Sequence, residues 1–195
     1  MTGRSFRGLF WTLALLGASL DQATKYGVFQ YLYNGGYGDS TPVMENTFEL
    51  VAHYTRSAPG SEPVPQVNHG ALFGFLGEYM NANTLFAIVS VAAAVAIIYW
   101  STRRSTIIDR SLCAALGLIL AGTMGNLYDR LTFGGVRDFM HFHYRSFDWP
   151  VFNLADCCLV CGAFLLLAQA FWHRPEPAAE PAPVAEQPAL QQEVA

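Results

Sequence analysis

Residues 84–100 read TLFAIVSVAAAVAIIYW, a run with no charge and no proline. A helix on the surface of a soluble protein keeps a polar face, and a buried strand is shorter than this. A stretch this uniformly apolar reads as a helix crossing hydrocarbon. Three further segments of the same kind flank it: Leu9 to about Phe29, Leu112–Leu127 and Val151–Trp172. Four spans in 195 residues leave too little chain for a second large domain. The composition agrees, with 52% hydrophobic and only 13% charged residues, about half the charged share of a soluble domain. Wholesale disorder, a long coiled coil and a polyanion-binding protein are excluded, the last also by a net charge of −4.

The first segment has two readings on pattern alone. Arg4 and Arg7, the apolar run and Gly17-Ala18-Ser19 resemble a cleaved secretory leader, while Asp21 and Lys25 suit a retained helix with a polar end. Orientation follows from the basic residues. Arg4, Arg7, Arg103, Arg104, Arg110 and Arg174 fall on one side, which the positive-inside rule makes cytoplasmic. Both termini are then inside, and residues 30–80 and 129–150 lie outside. In the first outer segment Phe48, Leu50, Ala52 and Tyr54 alternate with Glu49, Val51 and His53, the period of a half-buried strand. Residues 57–65 are rich in Pro, Gly and Ser and read as a loop. Residues 175–195, of Pro, Ala, Glu and Gln, read as a disordered cytoplasmic tail behind a membrane domain of residues 1–174.

Polar side chains gather at the outer ends of the spans. Asp21 and Lys25 share a helix face, Asn126, Asp129 and Arg130 end the third span, and Asn153 and Asp156 begin the fourth. Asp138 sits on the loop between them. Singly, each reads as a cap or an ion pair, with Asn153 the natural cap beside Pro150. Asp156 stands out, because it lies several residues inside a span that begins at Val151. Together they bring four segments to one depth, which is a site. Two carboxyls at close range hold one shared proton; the ionised member draws a proton from water while the other donates to the carbonyl under attack.

Five blocks occur in order: Asp21-Gln22-Ala23-Thr24-Lys25-Tyr26, Asn68-His69-Gly70-Ala71-Leu72-Phe73, Gly125-Asn126-Leu127-Tyr128-Asp129-Arg130, Val136-Arg137-Asp138-Phe139 and Phe152-Asn153-Leu154-Ala155-Asp156. With the four spans they resemble the lipoprotein signal peptidase family (signal peptidase II), over residues 6 to 173. The resemblance implies an all-α membrane protein, a four-helix bundle with a small extracytoplasmic β-cradle, in the bacterial inner membrane. It implies an aspartic endopeptidase that cleaves prolipoproteins before a diacylglyceryl-modified cysteine. Its catalytic pair maps onto Asp138 and Asp156. Asp129 is the rival for the first role and reads better as structural support beside Arg130. Asp21, Lys25, Asn68, Gly70, Asn126, Arg130 and Asn153 map onto substrate binding, with Asp21 and Lys25 at the entrance. The first segment is then a retained helix. No cofactor and no metal are expected, and the partners are the lipidated substrate and membrane lipid, around a monomer. The segments 30–47 and 56–67 are longer than the family pattern. A cation-coupled transporter using intramembrane carboxylates is the alternative, although it calls for charges at the midplane and for internal repeats.

Two further signals carry less. Cys113, Cys157, Cys158 and Cys161 lie within apolar spans and read as packing residues rather than a zinc cluster. His141-x-His143 resembles a ligand pair on a strand, but the sequence offers no third ligand at matching spacing, so it reads as interfacial polarity.

Overall fold

The computed structural model describes residues 4–56, 58–70 and 82–172; the expected tail, 175–195, lies outside them, as do Ala71, Leu72 and Phe73 of the second block. Four long helices are present among the described residues: α1 (Arg7–Tyr31), α2 (Ala82–Ser101), α4 (Arg110–Phe133) and α5 (Leu154–Trp172), with a single turn, α3 (Arg104–Ile107), between α2 and α4. Three of them, α2, α4 and α5, are long and apolar enough to cross a membrane. The helix α4 stands in the middle and packs against α1, α2 and α5. Its small residues make that possible. A side chain at Gly122 would collide with the Ala155 carbonyl, and a Cβ at Gly125 would lie 2.5 Å from Asp21 Oδ2. The outer faces of α2 and α5 carry Ile88, Val89, Val95, Val160, Phe164 and Phe171, all exposed. An apolar surface of that extent is stable against lipid tails and not against water.

Among the described residues five strands complete the fold, β1 (Gly38–Met44), β2 (Phe48–Thr55), β3 (Val64–Pro65), β4 (Met140–Tyr144) and β5 (Phe147–Asp148), in the order β1-β2-β4-β5 with β3 on the end of β2. All pairings are antiparallel. The chain is therefore mixed helix and sheet rather than all-α, because long-range pairing of β2 with β4 builds a real sheet around the expected strand. Alternation along β2 holds on one face: Leu50, Ala52 and Tyr54 pack with Phe29 and Leu32 of the α1 end and with Phe139. Val51 is buried too, its amide donating to the Phe139 carbonyl at 2.9 Å. The sheet thus sits on the C-terminal end of α1, and the Tyr54 hydroxyl fixes it there by donating to the Phe29 carbonyl at 2.6 Å. The other end of the bundle is the basic one, where the Phe6 amide donates to Ile107 beside Arg103, Arg104 and Arg110.

Candidate active site

The site forms where α4 stops. Gly134 takes the left-handed conformation (φ 76°) that ends the helix, and residues 136–139 then run extended beneath the sheet. Asn68 and Val136 exchange backbone hydrogen bonds of 2.8 and 3.0 Å, tying the loop after β3 to this segment. Successive side chains of an extended segment point to opposite sides. Arg137 goes inward and is 1% exposed, whereas Asp138 faces a pocket.

Inward lies an ion cluster with no access to solvent. Lys25 Nζ stands 2.9 Å from Asp21 Oδ2 and 3.4 Å from Asp129 Oδ2, and Arg137 Nη2 lies 2.9 Å from Asp129 Oδ1. The Arg137 backbone amide also donates to Asp129, at 2.9 Å. Gln22 fills the remaining valences, donating to Asp21, Asp129 and the Gly125 carbonyl and accepting from Arg137. The Arg137 guanidinium lies over the Tyr26 and Phe133 rings at 4.2 and 4.1 Å. Asp21 further accepts from the Ala155 amide at 2.8 Å, satisfying one of the free donors that open α5.

Above the cluster is a pocket of about 160 Å³ whose walls include Asn68, Gly70, Asn126, Arg130, Asp138 and Asp156. Asn153 joins the two carboxylates. Its Nδ2 donates to Asp138 Oδ1 at 2.6 Å, its Oδ1 accepts from the Asp156 amide at 3.1 Å, and Asp156 Oδ2 accepts from the Asn153 amide at 3.1 Å. The last two bonds are a reciprocal capping box on α5. Asn68 donates to the other Asp138 oxygen at 3.1 Å. Asn126 donates to Asp156 Oδ1 at 2.8 Å, and its own Oδ1 accepts from Lys25 at 3.1 Å. A lysine can only donate, so Lys25 turns the Asn126 amide nitrogen toward Asp156. Burial raises Asp138 from the usual 3.8 to about 6, with the charge of Asp156 adding to the rise and the bonds from Asn68 and Asn153 opposing it. A pair of carboxyls sharing one small polar pocket, one of them keeping its proton well above the usual carboxylate range, is suited to acid–base work on an amide.

Most of the residues singled out in the sequence meet here, and some do not. Asp21 and Lys25 are fully buried below the pocket rather than lining an entrance, because their charges find partners in the helix-packed interior and not in solvent. Asp129 is buried with them and takes no part in the pocket wall. Asp156 is not deep in its helix. The segment 151–153 stays extended, held by the Phe152–Met140 bridge, so α5 begins at Leu154 and Asp156 falls in the first turn. Arg137 and Gln22 are functional residues that no sequence pattern singles out, although each is the chain neighbour of a site residue, Asp138 and Asp21.

Comparison with known proteins adds a third line of observation. The family model described as Signal peptidase (SPase) II matches residues 13–172. A lipoprotein signal peptidase of Ralstonia nicotianae is 37% identical over 161 residues, covering 82% of this chain and 79% of that protein. One from Cellvibrio japonicus is 36% identical over 167 residues, 83% of this chain and 86% of that protein. Among solved structures, a bacterial membrane enzyme determined by the in meso method at 1.9 Å superposes with a TM-score of 0.71 at 26% identity, over 89% of this chain and 99% of that one.

Proposed function

The chain belongs to the signal peptidase II family of aspartic peptidases, and from that premise we propose that it removes the signal peptide of prolipoproteins before a diacylglyceryl-modified cysteine, with Asp138 and Asp156 as the catalytic pair. The observation that carries the assignment is the convergence of both carboxylates on one pocket, each held by amide donors. Asp138, raised to about 6, holds the shared proton. Asp156 takes a proton from the water that attacks the scissile carbonyl. Asp138 donates to the carbonyl oxygen, and a proton then passes to the departing amine. Arg130, Asn68, Gly70 and Asn126 line the same space and hold the substrate backbone, with the Arg130 guanidinium placed to steady the oxyanion. Asn153 positions the dyad from behind. Asp21, Lys25 and Asp129 act one layer further down, as support.

In the membrane we place α1 as a fourth span. Its two charges are compatible with hydrocarbon because they are paired and fully enclosed. Arg7, Arg103, Arg104 and Arg110 lie at the end away from the sheet, which by the positive-inside rule supports a cytoplasmic side for that end and both termini, with the site at the outer face of the inner membrane and lipid against α2 and α5. Residues 1–174 form the peptidase, a monomer, and 175–195 its tail. Cation transport has no footing, since the relatives are peptidases and the carboxylates meet at one end of the bundle.

The test is incubation of purified protein with a diacylglyceryl-modified prolipoprotein. Cleavage by wild type, with loss in Asp138→Asn and in Asp156→Asn, is expected. Normal cleavage by either variant removes that residue from the dyad.

A further inference from the structure

The outer sheet carries a second cluster of ligating groups, away from the pocket and unused by the chemistry above. The register of β2 against β4 sets Glu49 opposite His141. His143 lies two residues on, so its side chain shares the His141 face, and the two rings stand 5.1 Å apart. One ring nitrogen of each histidine and a Glu49 oxygen lie within 4.8 Å of one another. Glu49 is the third ligand that the His-x-His spacing lacks in sequence, and it comes from a strand far earlier in the chain.

Two details separate this triad from ordinary surface polarity. His143 Nδ1 is buried and has no hydrogen-bond partner among the described residues, an uncompensated group that a sheet surface could readily have left in water. His141, by contrast, is held at both nitrogens: Nδ1 lies 2.9 Å from Glu49 Oε1 and Nε2 lies 2.6 Å from Asp148 Oδ1. A histidine that gives one N–H to a carboxylate and aims the other nitrogen at a shared centre has the arrangement of a metal ligand with its supporting carboxylate. Asp148 fills the supporting role here, and the nitrogen left for the centre is Nδ1, which faces Glu49. Glu49 and His143 also border a cavity of about 340 Å³ with Glu45, room for a water or a fourth carboxylate ligand.

We propose that Glu49, His141 and His143 bind a divalent transition metal, with zinc the best match to two imidazoles and a carboxylate, and that the ion clamps β2 to β4. Bonds of about 2.0–2.2 Å in a tetrahedral site put ligand atoms roughly 3.3 Å apart. The ligand atoms already lie within 4.8 Å of one another, so closing to that spacing calls for shifts of about 1.5 Å or less on the proposed reading. The clamp would act on the segment that carries Asp138, a short way ahead of His141. It is independent of the peptidase assignment.

The full chain, purified in detergent without a polyhistidine tag and stripped with a chelator, is titrated with Zn²⁺ by calorimetry and with Co²⁺ by absorbance. One equivalent of zinc is expected to bind and to raise the melting temperature. Glu49→Gln and His143→Ala should each weaken binding at least tenfold while melting like the wild type in chelator. The Co²⁺ spectrum should show nitrogen and oxygen ligands. No stoichiometric binding by the wild type, undiminished binding in both variants, loss of binding in His53→Ala instead, or a thiolate charge-transfer band pointing to the cysteines would each overturn the proposal.

Discussion

Replacing Asp138 with asparagine should make the protein inactive and should shift relative stability toward the variant as pH rises. In the unfolded chain the carboxyl releases its proton near 3.8, whereas in the folded protein it holds it to about 6. Between those values the folded state binds more proton than the unfolded one, so the wild type loses stability as pH rises through the window and stays at the lower level beyond it. A rise of this size corresponds to about 3 kcal/mol for a fully desolvated group. Because Asp138 opens onto a wet pocket, screening brings the expected figure to about 1–3 kcal/mol. The substituted amide has no proton to lose. It also turns one donor toward Asn68 or Asn153, both already donating, at a pH-independent cost of about 1 kcal/mol. The informative quantity is therefore the variant-minus-wild-type difference as a function of pH. Unfolding of both proteins followed by tryptophan fluorescence in one detergent, from about pH 4 to pH 8, should show that difference moving in favour of the variant by about 1–3 kcal/mol, with most of the change between about pH 4 and 6.5. A difference that is flat across the range, or that moves toward the wild type, would refute the claim that desolvation dominates at this carboxyl.

Asp129→Ala leaves Arg137 and Lys25 buried with one carboxylate between them and should cost about 3–5 kcal/mol, read as a lower melting temperature and a lower folded yield; a near-neutral effect would mean that water enters the cluster. Gly70→Ala places a side chain at φ +85°, 2.5 Å from the Phe86 ring, and should cut the rate of prolipoprotein cleavage at least tenfold with little change in melting, because the strain falls on a loop at the pocket rim; an unchanged rate would remove Gly70 from the substrate path. Asn153→Ala removes the cap, worth about 1 kcal/mol, and frees the Asp138 carboxylate. Cleavage should fall roughly 100-fold with the pH profile displaced, and a loss no larger than the stability change predicts would make Asn153 a cap and nothing more.

What could be read from the sequence was what local composition determines. The run at 84–100 needed no partner to be recognised, and Leu50, Ala52 and Tyr54 showed their shared face through period alone. The pocket residues were recoverable as motif blocks. Direction was not. Nothing in Val136-Arg137-Asp138-Phe139 says which charged side chain turns inward, since that depends on where the segment crosses α4 and on Asp129 waiting below it. The depth of Asp156 is hidden from the sequence for a related reason. Hydropathy counts Val151 and Phe152 into the helix, but the Phe152–Met140 pairing keeps them in an extended conformation, and only tertiary contact decides that competition. Glu49 could not be joined to His141 and His143 before β2 and β4 were aligned.

The two carboxylates and the buried cluster are one construction. Arg137 and Asp138 are neighbours on an extended backbone, so anchoring the first fixes the aim of the second. Arg137 is anchored by two bonds to Asp129 through its guanidinium and a third through its own backbone amide, and by the faces of the adjoining Tyr26 and Phe133 rings. On the other side of the pocket Lys25 orients Asn126, Asn126 holds Asp156, and Asp21 holds the first turn of α5 on which Asp156 rides. Each carboxylate of the pocket is thus tied through a short chain of contacts to a charge that water cannot reach. Such an arrangement keeps the pair in register at the end of the bundle. It also gives a purpose to the aspartate and lysine one turn apart on α1: removed from the pocket, they set the geometry of the groups that line it.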